Sequence, residues 1–92
     1  MNKAGRHWTV VVKRLPDRAL RKLPHDGRKR VDGVLLALAD EPRPHGCTKI
    51  EGHETLWRVK VGKWRITYSI EDDRRLVVVV EISTRGGAYR NL

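Results

Sequence analysis

Three positively charged side chains, Arg58, Lys60 and Arg65, lie close together in the segment LWRVKVGKWRITYSI, residues 56–70. They alternate with apolar residues, and alternate side chains of a strand point to the same face. Like charges opposite one another destabilise a sheet. The three cations therefore predict that an anion binds between them, and a polyphosphate backbone is the obvious candidate. The alternative is the solvated outer face that half-exposed antiparallel sheets commonly have.

A two-residue turn at Gly62-Lys63 would bring the three cations together. Glycine in the first turn position suits a type II′ turn between antiparallel strands. Counting outward from that turn, Lys60 faces Arg65, and Arg58 lies on the same side of the hairpin. The other side carries the apolar and aromatic pairs Val61–Trp64, Val59–Ile66 and Trp57–Tyr68. We expect that side to pack into the core, with base stacking by either tryptophan as the alternative.

The composition predicts a single basic domain spanning residues 1–92. Twenty Lys and Arg against 11 Asp and Glu give a formal net charge of +9. This balance points to nucleic acid, a ribonucleoprotein surface or an acidic protein as the partner. The absence of a long apolar run and of a signal-peptide core in MNKAGRHWTV predicts a cytoplasmic protein with no membrane partner.

The cysteine and histidines do not predict a metal site or a cofactor. One cysteine, Cys47, excludes an internal disulfide and a multi-cysteine metal centre, and fits a reducing compartment. The four histidines are scattered without the spacing of zinc ligands. No carboxylate pair and no nucleophile–histidine–acid arrangement is visible. We expect Glu81 to pair with a nearby cation rather than to act as a catalyst.

Two helices are predicted after a first strand at His7–Lys13. Pro16-Asp17 signals the start of a short helix with an apolar stripe of Leu15, Leu20 and Leu23. A second helix, about Asp26–Ala39, carries Val31, Leu35 and Leu38 at helical spacing, with Val34 and Leu36 widening the stripe. Its basic cluster Arg28-Lys29-Arg30 is either solvated or in contact with an RNA or protein surface.

The remaining segments read as loops and strands around the hairpin. They are a loop at Glu41–Thr48, a short strand at Lys49–Glu51, a polar turn at Glu71–Arg75 and an interior strand at Leu76–Ile82, covered on both faces. The layout predicts an α+β fold in which the N-terminal strand and a two-helix hairpin pack on one face of a curved, mainly antiparallel sheet.

WRVKVGKWRITYSIEDD, followed by a valine-rich strand and TRGGAYR, resembles the RelE/ParE superfamily of bacterial toxin–antitoxin toxins, most closely from Lys49 to Arg90. RelE-like members are ribosome-dependent endoribonucleases that cut mRNA in the decoding site. Their functional residues are basic side chains on the hairpin, an arginine after the last long strand and a tyrosine near the C-terminus. Carried onto this sequence, the resemblance implies a catalytic set of Arg58, Lys60, Arg65, Arg85 and Tyr89.

The implied chemistry is metal-independent cleavage by the ribose 2′-OH on the adjacent phosphate. The three hairpin cations would hold the phosphate and its developing charge. Tyr89 or Lys60 could act as the base, since neighbouring cations favour tyrosinate and neutral lysine. Arg85 could support the leaving oxygen. The alternatives are a Tyr89 that only tucks the tail against the sheet and an Arg85 that is a surface or salt-bridging residue. Some RelE relatives carry lysine where this chain has Arg58, which hardly ever deprotonates.

The resemblance also implies binding partners and two alternative functions. The expected partners are a cognate antitoxin, the ribosome and mRNA, with operator DNA contacted through the antitoxin. ParE-like relatives poison DNA gyrase and generally lack the full residue set, so that set favours the nuclease. A gyrase inhibitor and a catalytically inactive, antitoxin-binding relative remain the alternatives.

Overall fold

The computed structural model describes residues 7–84, which fold into five strands and two helices. In chain order they are β1 (Thr9–Val12), α1 (Arg14–Arg21), α2 (His25–Leu38), β2 (Thr48–Lys49), β3 (Leu56–Val61), β4 (Trp64–Glu71) and β5 (Leu76–Thr84). Both helices follow the first strand and precede the antiparallel run, which confirms the predicted α+β layout.

The five strands form one mixed sheet in the order β1-β5-β4-β3-β2. β1 pairs with β5 in parallel, and the other three pairings are antiparallel. The parallel pair requires a crossover, which α1 and α2 provide on one side of the sheet. The opposite side, called the open face below, carries no helix of residues 7–84.

The first helix begins earlier than the sequence indicated. α1 starts at Arg14, so Pro16 is its third residue rather than its start signal. Proline is tolerated there because the amide hydrogens of a first turn have no partner within the helix. α2 agrees with the prediction to within one residue at each end.

The core lies between the helices and the inner face of the sheet. It is formed by Leu20, Val31, Leu35, Leu38, Val59, Val61, Ile66, Tyr68, Ile70, Val77, Val79 and Ile82. Two predicted core positions were wrong, because Leu15 is 71% exposed and Leu36 is 54% exposed. Leu36 follows the buried Leu35 and is therefore rotated about 100° away from the sheet.

The last strand is interior in the sheet but is covered on one face only, which corrects the prediction for Leu76–Ile82. Val77 and Val79 are fully buried beneath the helices, whereas Val78 and Val80 on either side of Val79 are half-buried. The strand has a hydrogen-bonded neighbour on each side. Part of its valine run nevertheless lies on the open face, where no helix of residues 7–84 covers it.

A β-bulge interrupts β5 at Val80. Tyr68 of β4 is opposite Val79, whereas the preceding Thr67 is opposite Glu81, so Val80 has no partner on β4. Because strand side chains alternate, one extra residue exchanges the two faces for everything that follows it. Glu81 consequently lies on the open face.

Candidate functional site

The central hairpin has the turn and register that the sequence indicated. Gly62 adopts φ +61° while Lys63 does not have a positive φ, as a type II′ turn requires. The strands pair Lys60 with Arg65 and Arg58 with Thr67. Glycine at the tight turn therefore fixes which side chains share a face.

Arg58, Lys60 and Arg65 lie together on the open face. Lys60 is exposed, and both arginines are half-buried. Side chains directly opposite on neighbouring strands have Cβ atoms about 4.5–5.5 Å apart, so the Lys60 and Arg65 stems run side by side. A hollow beside them is lined by Lys60, Gly62, Lys63, Trp64 and Arg65. This group can receive a phosphate, because arginine's planar fork engages two oxygens at once.

The other two expected site residues, Arg85 and Tyr89, lie outside the described residues. β5 ends at Thr84, whose Cα partner is Trp64 at the start of β4. The described chain therefore ends beside the hairpin turn, next to the hollow lined by Lys60 and Arg65.

The floor of the open face is polar, and sequence reasoning missed it. Thr67 is only 1% exposed and lies between Arg58 on β3 and Glu81 on β5, while Ser83 is opposite Arg65. Within residues 7–84, the shielded hydroxyl oxygens of Thr67 and Ser83 have no hydrogen-bond partner. The run LVVVVEI carries no signal for the bulge that brings β5 into this arrangement.

Helix α2 braces the hairpin from the core side. A Cβ added to Gly27 would lie 2.9 Å from the Trp64 Nε1 atom, so only glycine fits beneath this ring as it stands. The Lys63 ammonium lies 5.2 Å from the Trp64 ring centre, a cation–π distance. Trp64 is thus held between the helix and a turn lysine, which supports the core-packing prediction.

Two arginines of the basic cluster at the start of α2 have different surroundings. The Arg30 guanidinium packs against the hairpin turn, 3.0 Å from where a Cβ of Gly62 would be. Arg28 instead approaches Asp32 at 4.0 Å, both side chains being about half exposed. Arg30 therefore adds a further cation to the hairpin end of the molecule.

A second group of contacts fixes β3 and β4 at the opposite end of the sheet. Arg43 donates two hydrogen bonds to the Asp72 carboxylate, at 2.9 and 3.1 Å, and its guanidinium lies 5.0 Å from the Trp57 ring centre. The buried Tyr68 hydroxyl donates to the Pro42 carbonyl at 2.8 Å. These contacts attach the loop before β2 to the strands that carry the cations.

The pKa shifts in the described chain belong to this group of contacts. Hydrogen bonding from Arg43 lowers the pKa of the Asp72 carboxyl and correspondingly raises the pKa of Arg43. Burial raises the pKa of the Tyr68 phenol.

Residues 7–84 contain no group of three or more His, Cys, Asp or Glu side chains placed to hold a metal ion. Neither helix in that range is long and apolar enough to span a membrane.

Comparison with known proteins decides the family. Residues 10–89 match the model of the ParE toxin of type II toxin–antitoxin systems, parDE. The chain belongs to the RelE/ParE superfamily of toxins. A relative from Methanocaldococcus jannaschii, assigned as the toxin RelE1, is 31% identical over an alignment of 75 residues that covers 78% of this chain and 83% of that protein.

Solved structures of RelE toxins share the fold. RelE in the archaeal RelE–RelB complex of Pyrococcus horikoshii superposes with a TM-score of 0.79 at 25% identity, covering 89% of this chain and 99% of that one. The toxin–antitoxin complex RelBE2 of Mycobacterium tuberculosis gives 0.73 at 25% identity, covering 85% and 98%. The resemblance inferred from Lys49 to Arg90 is confirmed, and the family match also includes the helical half of the chain.

Proposed function

We propose that this RelE/ParE toxin is a ribosome-dependent endoribonuclease that cuts mRNA and so inhibits translation. The observation that carries the proposal is the convergence of Arg58, Lys60 and Arg65 on one face of a braced hairpin. The RelE names of the relative and of the structural neighbours support the nuclease branch over the gyrase-directed one.

In this proposal the substrate's own 2′-OH is the nucleophile. It attacks the adjacent phosphorus, the bond to the 5′-oxygen breaks, and a 2′,3′-cyclic phosphate remains on the upstream fragment. Arg58, Lys60 and Arg65 neutralise the charge that develops on the phosphate oxygens. Tyr89 or Lys60 accepts the proton of the 2′-OH, and Arg85 supports the leaving 5′-oxygen, directly or through a water. That oxygen takes a proton from water and leaves as a 5′-hydroxyl. No metal ion or cofactor is required.

A cognate antitoxin is the proposed protein partner. The neighbours from P. horikoshii and M. tuberculosis are named as complexes with RelB or as a toxin–antitoxin pair. An acidic segment would complement the +9 charge of this chain. β2 pairs with β3 only at Arg58 and Trp57, so the outer edge of β3 beyond them can accept an added strand. The complex would contact operator DNA through the antitoxin.

The proposal is tested by inducing the toxin in cells with primer extension on a reporter mRNA. We expect wild type to arrest growth and to cut within translated codons. Arg65→Ala and Lys60→Ala should each relieve the arrest and lower cleavage about 10²–10³-fold, as expected for the loss of a transition-state contact. Arg74→Ala is the matched control, because Arg74 lies at the opposite end of the sheet in an exposed pair with Glu71.

A gyrase assay distinguishes the nuclease from the alternative function, inhibition of DNA gyrase. That alternative is suggested by the ParE name of the matching family model. Purified wild type that blocks DNA supercoiling while leaving ribosome-bound mRNA intact would establish a gyrase inhibitor. Growth arrest that persists unchanged in Arg65→Ala and Lys60→Ala would equally reject the nuclease. A wild type that inhibits nothing would identify an inactive relative that only binds its antitoxin.

A further inference from the structure

The bulge in β5 carries a carboxylate onto the open face. Because Val80 has no partner on β4, Glu81 is opposite Thr67, and Ser83 is opposite Arg65. An uninterrupted strand would have turned position 81 toward the core, where a carboxylate is costly. Glu81 therefore lies on the open face close to its three cations.

Glu81 is near both arginines of that face. Thr67 alone separates it from Arg58 across the sheet, and Arg65 is its diagonal neighbour. Diagonal neighbours are about 7–8 Å apart, within reach of long side chains. The Oε1 atom of Glu81 and the Nε atom of Arg58 are both shielded from solvent, and opposite charges attract more strongly where water is excluded.

We propose that Glu81 is a built-in counter-ion, a positioning residue that holds the Arg58 and Arg65 guanidinium groups over the sheet and competes with the substrate's phosphate for them. In the free protein it reduces the repulsion between the opposed cations. When RNA binds, the phosphate takes over those contacts and Glu81 gives way. The identity of the anion rests on the proposed nuclease function, whereas the competition itself does not.

The test compares Glu81→Gln with Glu71→Gln in purified protein. Both substitutions remove one negative charge from the open face of the same sheet, but Glu71 is at the far end of β4 and pairs with Arg74 at 3.0 Å. Binding is measured by fluorescence anisotropy with a short single-stranded oligodeoxynucleotide of the same base sequence. This RNA analogue has no 2′-hydroxyls and therefore cannot be cut. Cleavage is measured as a single-turnover rate on ribosome-bound mRNA at saturating toxin.

We expect Glu81→Gln to bind the RNA analogue about three- to tenfold more tightly than wild type at low salt, because the arginines no longer have a competitor. The slope of log affinity against log salt should steepen by about 0.7, the value for one added phosphate contact on a single strand. The saturating cleavage rate should fall, since the guanidinium groups lose their orientation. Glu71→Gln should match wild type in both measurements.

Glu81→Asp and a thermal melt keep the test interpretable. The aspartate keeps the charge on a shorter side chain and should restore wild-type affinity, and the melts show whether each variant is folded. Affinity of Glu81→Gln equal to that of Glu71→Gln would overturn the counter-ion. A cleavage rate that falls with no gain in affinity would also overturn it, because Glu81 would then support cleavage without competing with the phosphate. If wild type cuts no mRNA, the nuclease proposal fails, and the binding comparison still decides the role of Glu81.

Discussion

Asp72 shows at residue scale how this small fold fixes a loop without a large core. Arg43 reaches it across 29 positions of sequence and forms a bridge with two hydrogen bonds. Arginine's planar fork matches a carboxylate, so one pair sets both the distance and the orientation of the two segments. The same guanidinium covers the ring of Trp57, which precedes Arg58 on β3. A surface contact thereby supports the strand that carries the candidate site.

The bridge makes stability depend on pH in the acid range. Because the pKa of Asp72 is lowered in the folded protein, its contribution is fully present above the ordinary aspartate value of about 4 and is lost as pH falls through the folded value. We expect Asp72→Asn to melt below wild type at pH 7, with the difference shrinking under about pH 4. Asp73→Asn is the control, since it removes the same charge from the same turn without breaking the bridge. Equal melting temperatures for wild type and Asp72→Asn at neutral pH would contradict this.

Two glycines of helix α2, Gly27 and Gly33, separate the effect of helix propensity on stability from the effect of side-chain packing. A Cβ on Gly33 would meet nothing within 4 Å, whereas a Cβ on Gly27 would collide with the Trp64 ring nitrogen at 2.9 Å. Glycine in a helix costs about 0.5–1 kcal/mol relative to alanine. The close contact beneath Trp64 is the reason for keeping glycine at position 27.

We expect Gly33→Ala to raise the unfolding free energy by about 0.5–1 kcal/mol. Gly27→Ala should lower it by about 1–3 kcal/mol, because the indole must move out of a well-packed site. Urea denaturation followed by tryptophan fluorescence measures both. A gain from Gly27→Ala as large as that from Gly33→Ala would mean that Trp64 moves aside freely and does not brace the hairpin.

Local signals predicted the elements that depend on local structure. Glycine at the first turn position was enough to give the hairpin register, and with it the shared face of Arg58, Lys60 and Arg65. Helical spacing gave α2 and its buried stripe of Val31, Leu35 and Leu38, since a 14-residue amphipathic helix repeats its pattern several times. The short α1 offers too few turns for such averaging, and its start was misplaced.

Features that depend on distant partners could not be predicted from the sequence. The Arg43–Asp72 bridge and the packing of Gly27 under Trp64 join segments far apart in the chain. The bulge at Val80 is invisible in a run of four valines, because apolar residues fit either face of a strand. Glu81 was therefore seen as a pairing partner without a location. Arg85 and Tyr89 remain predictions.

Charge is unevenly distributed over the whole molecule. The hairpin end carries Arg30, Lys60, Lys63 and Arg65, which line or adjoin the turn. The other end of the sheet carries Glu51, Glu54, Glu71, Asp72 and Asp73 beside the cations Arg43, Arg74 and Arg75, so its acidic side chains outnumber its arginines. A polyanion approaching this protein is therefore drawn to the hairpin end before any specific contact forms.

Matched charge removal at the two ends tests this polarity. Lys63→Gln and Arg74→Gln each lower the net charge by one, at the hairpin end and the opposite end respectively. We expect only Lys63→Gln to weaken binding of single-stranded RNA and to make its salt dependence shallower by about 0.7. Anisotropy titrations at several salt concentrations provide the measurement. Equal slopes for the two variants would show that RNA responds to total charge and not to its placement.

The unpaired residue in β5 has a consequence for reading related toxins. From position 81 onward, odd-numbered side chains of this strand face outward, whereas before Val80 the even-numbered ones do. In a relative without the extra residue, aligned letter by letter, the matched positions after the bulge would face the core instead of the solvent. Comparisons of these proteins should therefore first match the strand positions that face the core and those that face the solvent, and only then compare residue identities.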